Sequence, residues 1–423
     1  MQLPEDFLRE TRLIMDAERF ERYLKAFEEE PPVSIRLNPS ATSTHRLPLT
    51  TQAVPWCPAG HYLPTRPQFT FDPLLHAGCY YVQEASSMFL DEVLRQHLSQ
   101  DGEPIAFLDM CAAPGGKSTL IRSALSEDSL LVSNEPVRKR AQILSENMQK
   151  WGHANSFVTN NLPKDFRKAR LQFDAILCDV PCSGEGMFRK DPATIGEWSP
   201  ANVERCRQLQ RDIVTEAWQC LRPGGLFIYS TCTFNIKENE ENVRWMLEAF
   251  DASSLGVEVR REWNITGSLL PGFDIPVYRF IPGITRGEGL FMAVLRKQGD
   301  ERNSRKCDGT GARRYENGSL ARFEKALSCM SVLESSCPRT VVAPKDDPCT
   351  DLDYPTAISY LRGEAIVLPP DVPRGLVTVT FMGHPLGQVK NIGTRANNLY
   401  PKEWRIKSTH IPKTYESIFR PVE

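Results

Sequence analysis

Although the chain holds 12 cysteines in 423 residues, it contains no Cys-x-x-Cys pair; the nearest thiols in sequence are Cys178 with Cys182 and Cys329 with Cys337. The spacing of zinc ribbons and disulfide frameworks is therefore missing, and neither a metal site nor a bridge is indicated. No stretch reaches the roughly 18 apolar residues of a membrane span. The opening MQLPEDFLRE lacks the basic start and apolar run of a secretory signal. A cytoplasmic protein without membrane contact is expected, most of whose thiols are small buried hydrophobes. Internal repeats and low-complexity tracts are also absent, which excludes a solenoid. Nor is one charge in surplus: 51 Lys and Arg stand against 53 Asp and Glu, for a net charge of −2. Bulk charge does not advertise a nucleic-acid binder. Its distribution says more, because residues 1–30 carry nine acids against five bases while residues 355–423 carry nine bases against five acids. A positive C-terminal end suits a polyanion or solvent.

What is present is an ordinary globular composition, 41% hydrophobic and 25% charged, in a chain long enough for about two or three domains. Its organising stretch is IAFLDMCAAPGGKS, residues 105–118. An apolar run ends in Asp109 and gives way to small residues and then an amphipathic run: a strand, a glycine turn and a helix. Such a turn offers backbone N–H groups and a helix N-terminus, and Gly115 and Gly116 let a ligand approach the main chain. GGKS also resembles the end of a phosphate loop. That loop needs a glycine five positions before the Gly of GKS, where this chain has Cys111. The mismatch argues against ATP and favours S-adenosylmethionine, which has no phosphates to cradle.

Strand and helix alternate through LLVSN, VRKRAQILSENMQKWG, SFVTNN, FDAILCD, ERCRQLQRDIVTEAWQCL and LFIYSTC, which predicts an α/β, doubly wound sheet with helices on both faces. VEVRREW and LFMAVLRK are expected to close it as an antiparallel pair. Ligands of such sheets sit at the carboxyl ends of the strands, where Asp109, Glu135, Asn160, Asp179 and Cys232 fall. Ahead of this core, residues 1–75 read as a small α+β module: one amphipathic helix from Phe7 to Phe27, then SIRLNPS, in which Arg36 and Asn38 are candidate phosphate contacts or plain surface residues. Tyr80 and Tyr81 precede a helix capped by Ser86 or Ser87; they read as core, with base stacking the alternative. The core spans 76–298. Residues 299–350 read as a connector with a short helix, LARFEKALSCM, and 351–423 as a small β-rich domain. In that domain Lys390, Arg395, Asn397, Asn398, Lys402 and Arg405 gather near Tyr400 and Trp404, a mixture fit for holding phosphates and stacking bases, or for a solvated face.

Two thiols, Cys182 in DVPCSGEGMFRKD and Cys232 in YSTCTFN, end neighbouring strands and would face the cofactor. Carbon 5 of a pyrimidine becomes nucleophilic only after addition at carbon 6, and a thiolate can add there. A cysteine beside a methyl sulfonium thus points to C5 methylation. The thiol needs activation, for which Lys117, Arg189 and Lys190 are candidates. Asp179 can hydrogen-bond the ring nitrogen and supply its proton if burial raises its pKa. The residues do not say which thiol attacks.

DMCAAPGGKS, NEPVRKRA, CDVPCSGEGMFRKD and STCTFNIKENEENV, in this order, resemble the motifs of the NOL1/NOP2/Sun family of RNA cytosine-C5 methyltransferases, as do RLNP and YYVQEASSM before them. GHPLGQVKNIGTRANNLYPKEWRI resembles the PUA-like tail of the bacterial F-type branch, which modifies small-subunit ribosomal RNA. The resemblance implies a Rossmann-like S-adenosylmethionine-dependent core. It makes Cys232 the nucleophile and Cys182 the residue that assists release of product, with Asp179 against cytosine and cofactor and Lys117 beside the catalytic centre. Cys111, Ala112, Ala113, Pro114, Gly115, Gly116 and Lys117 would enclose the cofactor, Glu135 would hold its ribose hydroxyls and Arg140 would orient that acid. The implied substrate is small-subunit (16S) rRNA or the 30S subunit, and the implied state a monomer. One departure stands out: where the family has an Asp for the adenine amino group, this chain reads VTNNLP with Leu162, so Asn160 or Asn161 is expected to substitute. The rivals are a transfer-RNA cytosine methyltransferase, a non-catalytic ribosome assembly factor, and a DNA methyltransferase, which would not need the second thiol.

Overall fold

The computed structural model describes residues 2–41, 45–46, 51–98, 104–299, 323, 325, 327, 330–335, 348–408, 410–412, 415 and 417–421. Most of the expected 299–350 connector, LARFEKALSCM included, lies outside them. Two helices, not one, begin the chain: α1 (Glu5–Ile14) and α2 (Ala17–Lys25). The apolar periodicity runs on through the break, but the Asp16 carboxylate accepts from the Arg19 N–H and starts a new helix. Both helices pack Phe7, Phe20 and Tyr23 against Phe188, Trp198 and Phe234, which flank the later thiol segments.

A four-stranded antiparallel sheet follows, in the order β3-β4-β1-β5, built from β1 (Val33–Leu37), β3 (Gln52–Val54), β4 (Cys57–Leu63) and β5 (Tyr80–Val82). The short β2 (His45–Arg46) stands apart from it. Arg36 is neither surface nor free for phosphate. It is 1% exposed, lies over the Trp151 ring and donates to Gln83 Oε1, Thr119 Oγ1 and the Gly116 carbonyl. After α3 (Pro73–His76), Tyr80 is core, as expected, and donates to Asp72. The turn before α4 (Phe89–His97) is capped by Glu84, whose carboxylate accepts from the Ser86 and Ser87 N–H groups. The longer acidic side chain takes the role expected of a serine.

The central sheet has β6 (Ala106–Asp109), β7 (Leu130–Asn134), β8 (Ser156–Thr159), β9 (Phe173–Asp179) and β10 (Leu221–Thr231) parallel, in the order β10-β9-β6-β7-β8. Buried on both faces, these strands read as continuous apolar runs. α4, α5 (Gly116–Ala124) and α6 (Arg138–Trp151) send Leu90, Leu94, Leu120, Ile121, Leu144 and Met148 to one face. α7 (Pro163–Lys168), α8 (Pro200–Gln219) and α9 (Glu240–Ala249) send Phe166, Val214, Trp218, Val243 and Met246 to the other. The strand order reverses between β6 and β9, the crevice where such sheets bind ligands.

The closing strands differ from expectation. β13 (Leu290–Lys297) pairs antiparallel with β10, but its other partners are β11 (Ala252–Ser254) and β12 (Tyr278–Phe280). VEVRREW has strand-like composition yet forms no strand: Val257 is tied to the Tyr278 hydroxyl and Arg261–Trp263 make a 3-10 turn. At the far edge, β14 (Val332–Ser335), from within the expected connector, pairs antiparallel with β8. Among the described residues no helix is long and apolar enough to cross a membrane.

The C-terminal sheet, β15 (Cys349–Asp351), β16 (Gly375–Phe381), β17 (His384–Asn391) and β18 (Ala396–Asn398), is covered by α10 (Tyr354–Leu361). It shares one apolar core with the N-terminal sheet, and β19 (Arg420–Pro421) pairs with β2. His76 sits at this joint. Its Nε2 meets the Thr70 carbonyl at 2.9 Å, and Lys150 Nζ and the Tyr400 hydroxyl approach Nδ1. Burial, and then the Lys150 charge, push its pKa down to about 3 from an ordinary 6.5. Between those values the unfolded chain binds a proton that the folded chain refuses, so stability is lost as pH falls below about 6.5, by about 2 kcal/mol at pH 5. His76→Gln, which keeps a donor for Thr70, should flatten the fall in melting temperature between pH 7 and pH 5. An unchanged slope would assign that fall to other groups.

Candidate active site

β6 ends in Asp109, whose Oδ2 accepts from Ser118 Oγ at 2.6 Å while Oδ1 is buried with no partner. Burial, opposed by the Ser118 hydrogen bond and aided by Asp179, pushes its pKa up to about 7. The next residues form the turn. Gly115 has φ +114°, a conformation open to glycine, and a Cβ on Gly116 would stand 3.3 Å from the Tyr81 ring. The carbonyls of the turn are held by side chains: Ala113 by Arg140, Pro114 by Asn147, Gly115 by Thr119 and Gly116 by Arg36 and Thr119. α5 then starts with its N–H groups facing the sheet's carboxyl end.

Glu135 follows β7 and is 2% exposed in its side chain; it accepts from the Val137 N–H and lies 3.4 Å from Arg140. These neighbours fix the carboxylate where the sequence places a hydroxyl-binding acid. Asn161, expected at the adenine, is anchored by a distant stretch of chain. Its amide is spent on the main chain of Ser331, donating to the carbonyl and accepting from the N–H. Asn160 donates to the Glu135 and Pro136 carbonyls. Ser331, the residue before the edge strand β14, takes the Asn161 amide, and Leu162 is half-exposed.

At the ends of β9 and β10 the chemistry converges. Lys117 Nζ meets Asp179 Oδ2 at 2.8 Å, and Ser230 Oγ meets Asp179 Oδ1 at 2.6 Å. Burial alone would lower the Lys117 ammonium, but Asp179, with Cys232 and Asp109, overcomes it and holds the pKa up. Cys182 Sγ and Cys232 Sγ are 3.2 Å apart and both partly exposed, unlike the sealed Cys178 and Cys220. Of the three candidate activating charges only Lys117 belongs here. Arg189 donates to Glu288 and the Glu29 carbonyl, and Lys190 is exposed.

Several residues the sequence reading passed over hold the thiols in place. Gly186 N–H donates to the Cys232 carbonyl at 2.7 Å, and a Cβ there would stand 2.6 Å from that oxygen. Ser183 and Thr233 hydroxyls meet at 2.9 Å. Glu185 and Glu238 bridge the two segments, and Arg279 pairs with Glu240 beneath them. The signal was available, as SGEG and NIKENEEN carry acids beside each cysteine, but acids in loops ordinarily read as solvated. In the C-terminal sheet, Lys390, Arg395 and Lys402 are exposed, whereas Tyr400 is buried and Asn398 is consumed by the Tyr360 and Glu364 carbonyls.

Three family models match this chain: 16S rRNA methyltransferase RsmB/F over residues 95–296, the N-terminal domain of 16S rRNA methyltransferase RsmF over 3–85, and the methyltransferase RsmF PUA domain over 348–406. Ribosomal RNA small subunit methyltransferase F of Shewanella loihica is 30% identical over 411 residues, covering 83% of each chain. The enzyme of that name from Pectobacterium atrosepticum is 34% identical over 317 residues, 70% of this chain and 63% of that one. The match thus spans less than two thirds of the length of the first curated relatives. Among solved structures, a methyltransferase homolog protein from Pyrococcus horikoshii is similar at TM-score 0.55 and 25% identity, covering 70% of this chain and all of that one. NSun6 from Pyrococcus horikoshii with SFG has the same fold at TM-score 0.58, 20% identity and coverage of 70% and 99%.

Proposed function

Because the chain belongs to the RsmB/F 16S rRNA methyltransferase family, we propose that it methylates carbon 5 of a cytidine in small-subunit ribosomal RNA. Its methyl donor is S-adenosylmethionine. The crevice suits that molecule: Asp109 Oδ1 is an unspent buried acceptor, Gly115 and Gly116 leave the main chain open, and Glu135 is fixed at the end of β7. Cys111 to Lys117 would enclose it, Glu135 would take the ribose hydroxyls, and the adenine contact would fall to Asn160 or Asn161. The cofactor supplies an electrophilic methyl group.

The protein's part begins with Cys232, whose thiolate adds to carbon 6 and sends the ring's electrons toward carbon 5. Asp179, clamped by Lys117 and Ser230, faces the ring nitrogen, and the proton shared with Lys117 offsets the charge developing there. After carbon 5 has taken the methyl group and lost its proton, the Cys232–carbon 6 bond breaks with help from Cys182. The cytidine must leave its stack to reach the sulfur, at a cost of a few kcal/mol that contacts from the N-terminal and C-terminal modules offset. We assign those modules to residues 1–75 and 351–423 and regard the protein as a monomer acting on the 30S subunit or its RNA.

The observation that carries this reading is the pair of sulfurs 3.2 Å apart beside the Lys117–Asp179 pair. Bisulfite mapping of ribosomal and transfer RNA from cells with and without the protein tests it. One cytidine of the small-subunit RNA should lose its mark. A loss confined to transfer RNA would move the substrate, and no loss in either pool would leave a non-catalytic RNA binder. Glu135→Ala should weaken S-adenosylmethionine binding by about tenfold to a hundredfold, the worth of hydrogen bonds to a charged group. Unchanged affinity by titration calorimetry would remove Glu135 from the cofactor site.

A further inference from the structure

Two fully buried carboxylates tie the thiol segments together. Glu185, beside Cys182 in sequence, accepts from the Phe234 and Asn235 N–H groups at 2.6 and 3.0 Å, from Asn235 Nδ2 at 3.1 Å and from Trp198 Nε1 at 2.9 Å. Glu238, beyond Cys232, accepts from the Ser183 N–H at 3.0 Å, Gln210 Nε2 at 2.6 Å and Asn235 Nδ2 at 2.8 Å. Neither forms an ion pair among the described residues; every donor is a neutral N–H. A buried carboxylate without a cation is costly, and neutral donors arranged in this number favour its charged form. Glu238 also reaches the peptide N–H next to Cys182, so its charge lies on the Cys182 side of the thiol pair. The opposite side, at Cys232, has the Lys117 ammonium with Asp179. The surroundings of the two sulfurs thus differ: a carboxylate held only by neutral donors on the Cys182 side, and the Lys117–Asp179 ion pair on the Cys232 side.

The geometry points to Glu238 as a positioning residue that keeps the proton on Cys182: its charge disfavours a thiolate there, so that Cys182 faces Cys232 Sγ as S–H. This rests on the reading of Cys232 as nucleophile but concerns the thiol pair itself. Cys182 is pushed up first by its hydrogen bond to Cys232, then by burial and by the charges of Cys232 and Glu238. The other titratable groups around it are Tyr229 from β10, Glu185 on its own segment, and Asp179 and Lys117 beyond Cys232. Glu238 itself is pushed up to about 7 by burial and by Glu185, so its effect is exerted above that pH.

Alkylation of Cys182 by iodoacetamide, read by peptide mass spectrometry from pH 7.5 to 10.5 in a Cys232→Ser background, tests the assignment without RNA or methyl donor. Failure of the methylation reading would leave this result intact. Cys182 should titrate above the value of about 8.5 for a free thiol. Adding Glu238→Gln should lower the midpoint by about one pH unit, hence about tenfold faster alkylation at pH 8.5. Glu238→Asp should restore the high midpoint. Glu185→Gln, which disturbs a comparable set of hydrogen bonds on the acid that does not act on Cys182, should leave it in place. An unmoved midpoint in Glu238→Gln, or an equal shift in Glu185→Gln, overturns the proposal. If Glu238→Gln does not fold, the Cys232→Ser protein decides alone: a midpoint at or below 8.5 refutes it.

Discussion

Replacement of Cys232 by Ala should lower methyl transfer by at least about three orders of magnitude, with S-adenosylmethionine affinity and melting temperature nearly unchanged. Without addition at carbon 6 there is no enamine, and an unactivated carbon 5 does not attack a methyl group at a useful rate. Neighbouring groups cannot substitute. The nearest sulfur, 3.2 Å away on Cys182, lies on the side of Glu238 and is held protonated. The side chain is partly exposed, so deleting its sulfur leaves little cavity and costs roughly 1 kcal/mol or less. Radiolabelled transfer to small-subunit RNA, with calorimetric titration of the cofactor, separates the two quantities. Retention of more than a tenth of the rate would remove Cys232 from the nucleophile's role.

The second large effect is of opposite appearance. Cys182→Ala should accumulate an RNA–protein adduct that survives denaturing electrophoresis, because addition and methyl transfer proceed while the carbon 6–sulfur bond is slow to break. We assign help in that step to Cys182, whose sulfur lies 3.2 Å from that of Cys232. The adduct should vanish in Cys182→Ala/Cys232→Ala. If it forms instead in Cys232→Ala alone, the two roles are exchanged, and the difference in surroundings between the two sulfurs would need another explanation.

Much of this site is local and therefore readable. A strand, a glycine turn and a helix are specified by consecutive residues, so the turn at 110–116 and its neighbour Lys117 were legible, as was Glu135 at the end of the next strand. The misreadings share a cause. The break at Asp16, the cap at Glu84 and the failure of VEVRREW to form a strand each turn on a hydrogen bond that competes with periodicity. That the main chain of Ser331, just before β14 and 170 residues away, also holds Asn161 is likewise invisible to local pattern.

By itself the sequence determined the alternating architecture and the placing of the glycine turn, Cys182 and Cys232 at strand ends, because these depend on short-range pattern. Only the tertiary structure decided that the two sulfurs touch, that Lys117 rather than Arg189 or Lys190 accompanies them, and that Glu185 and Glu238 are buried where the two segments meet. The two acids lie between the segments that carry the sulfurs, and such facts depend on which strand ends meet and which side chains lose their water, neither of which is written in any run of neighbouring residues.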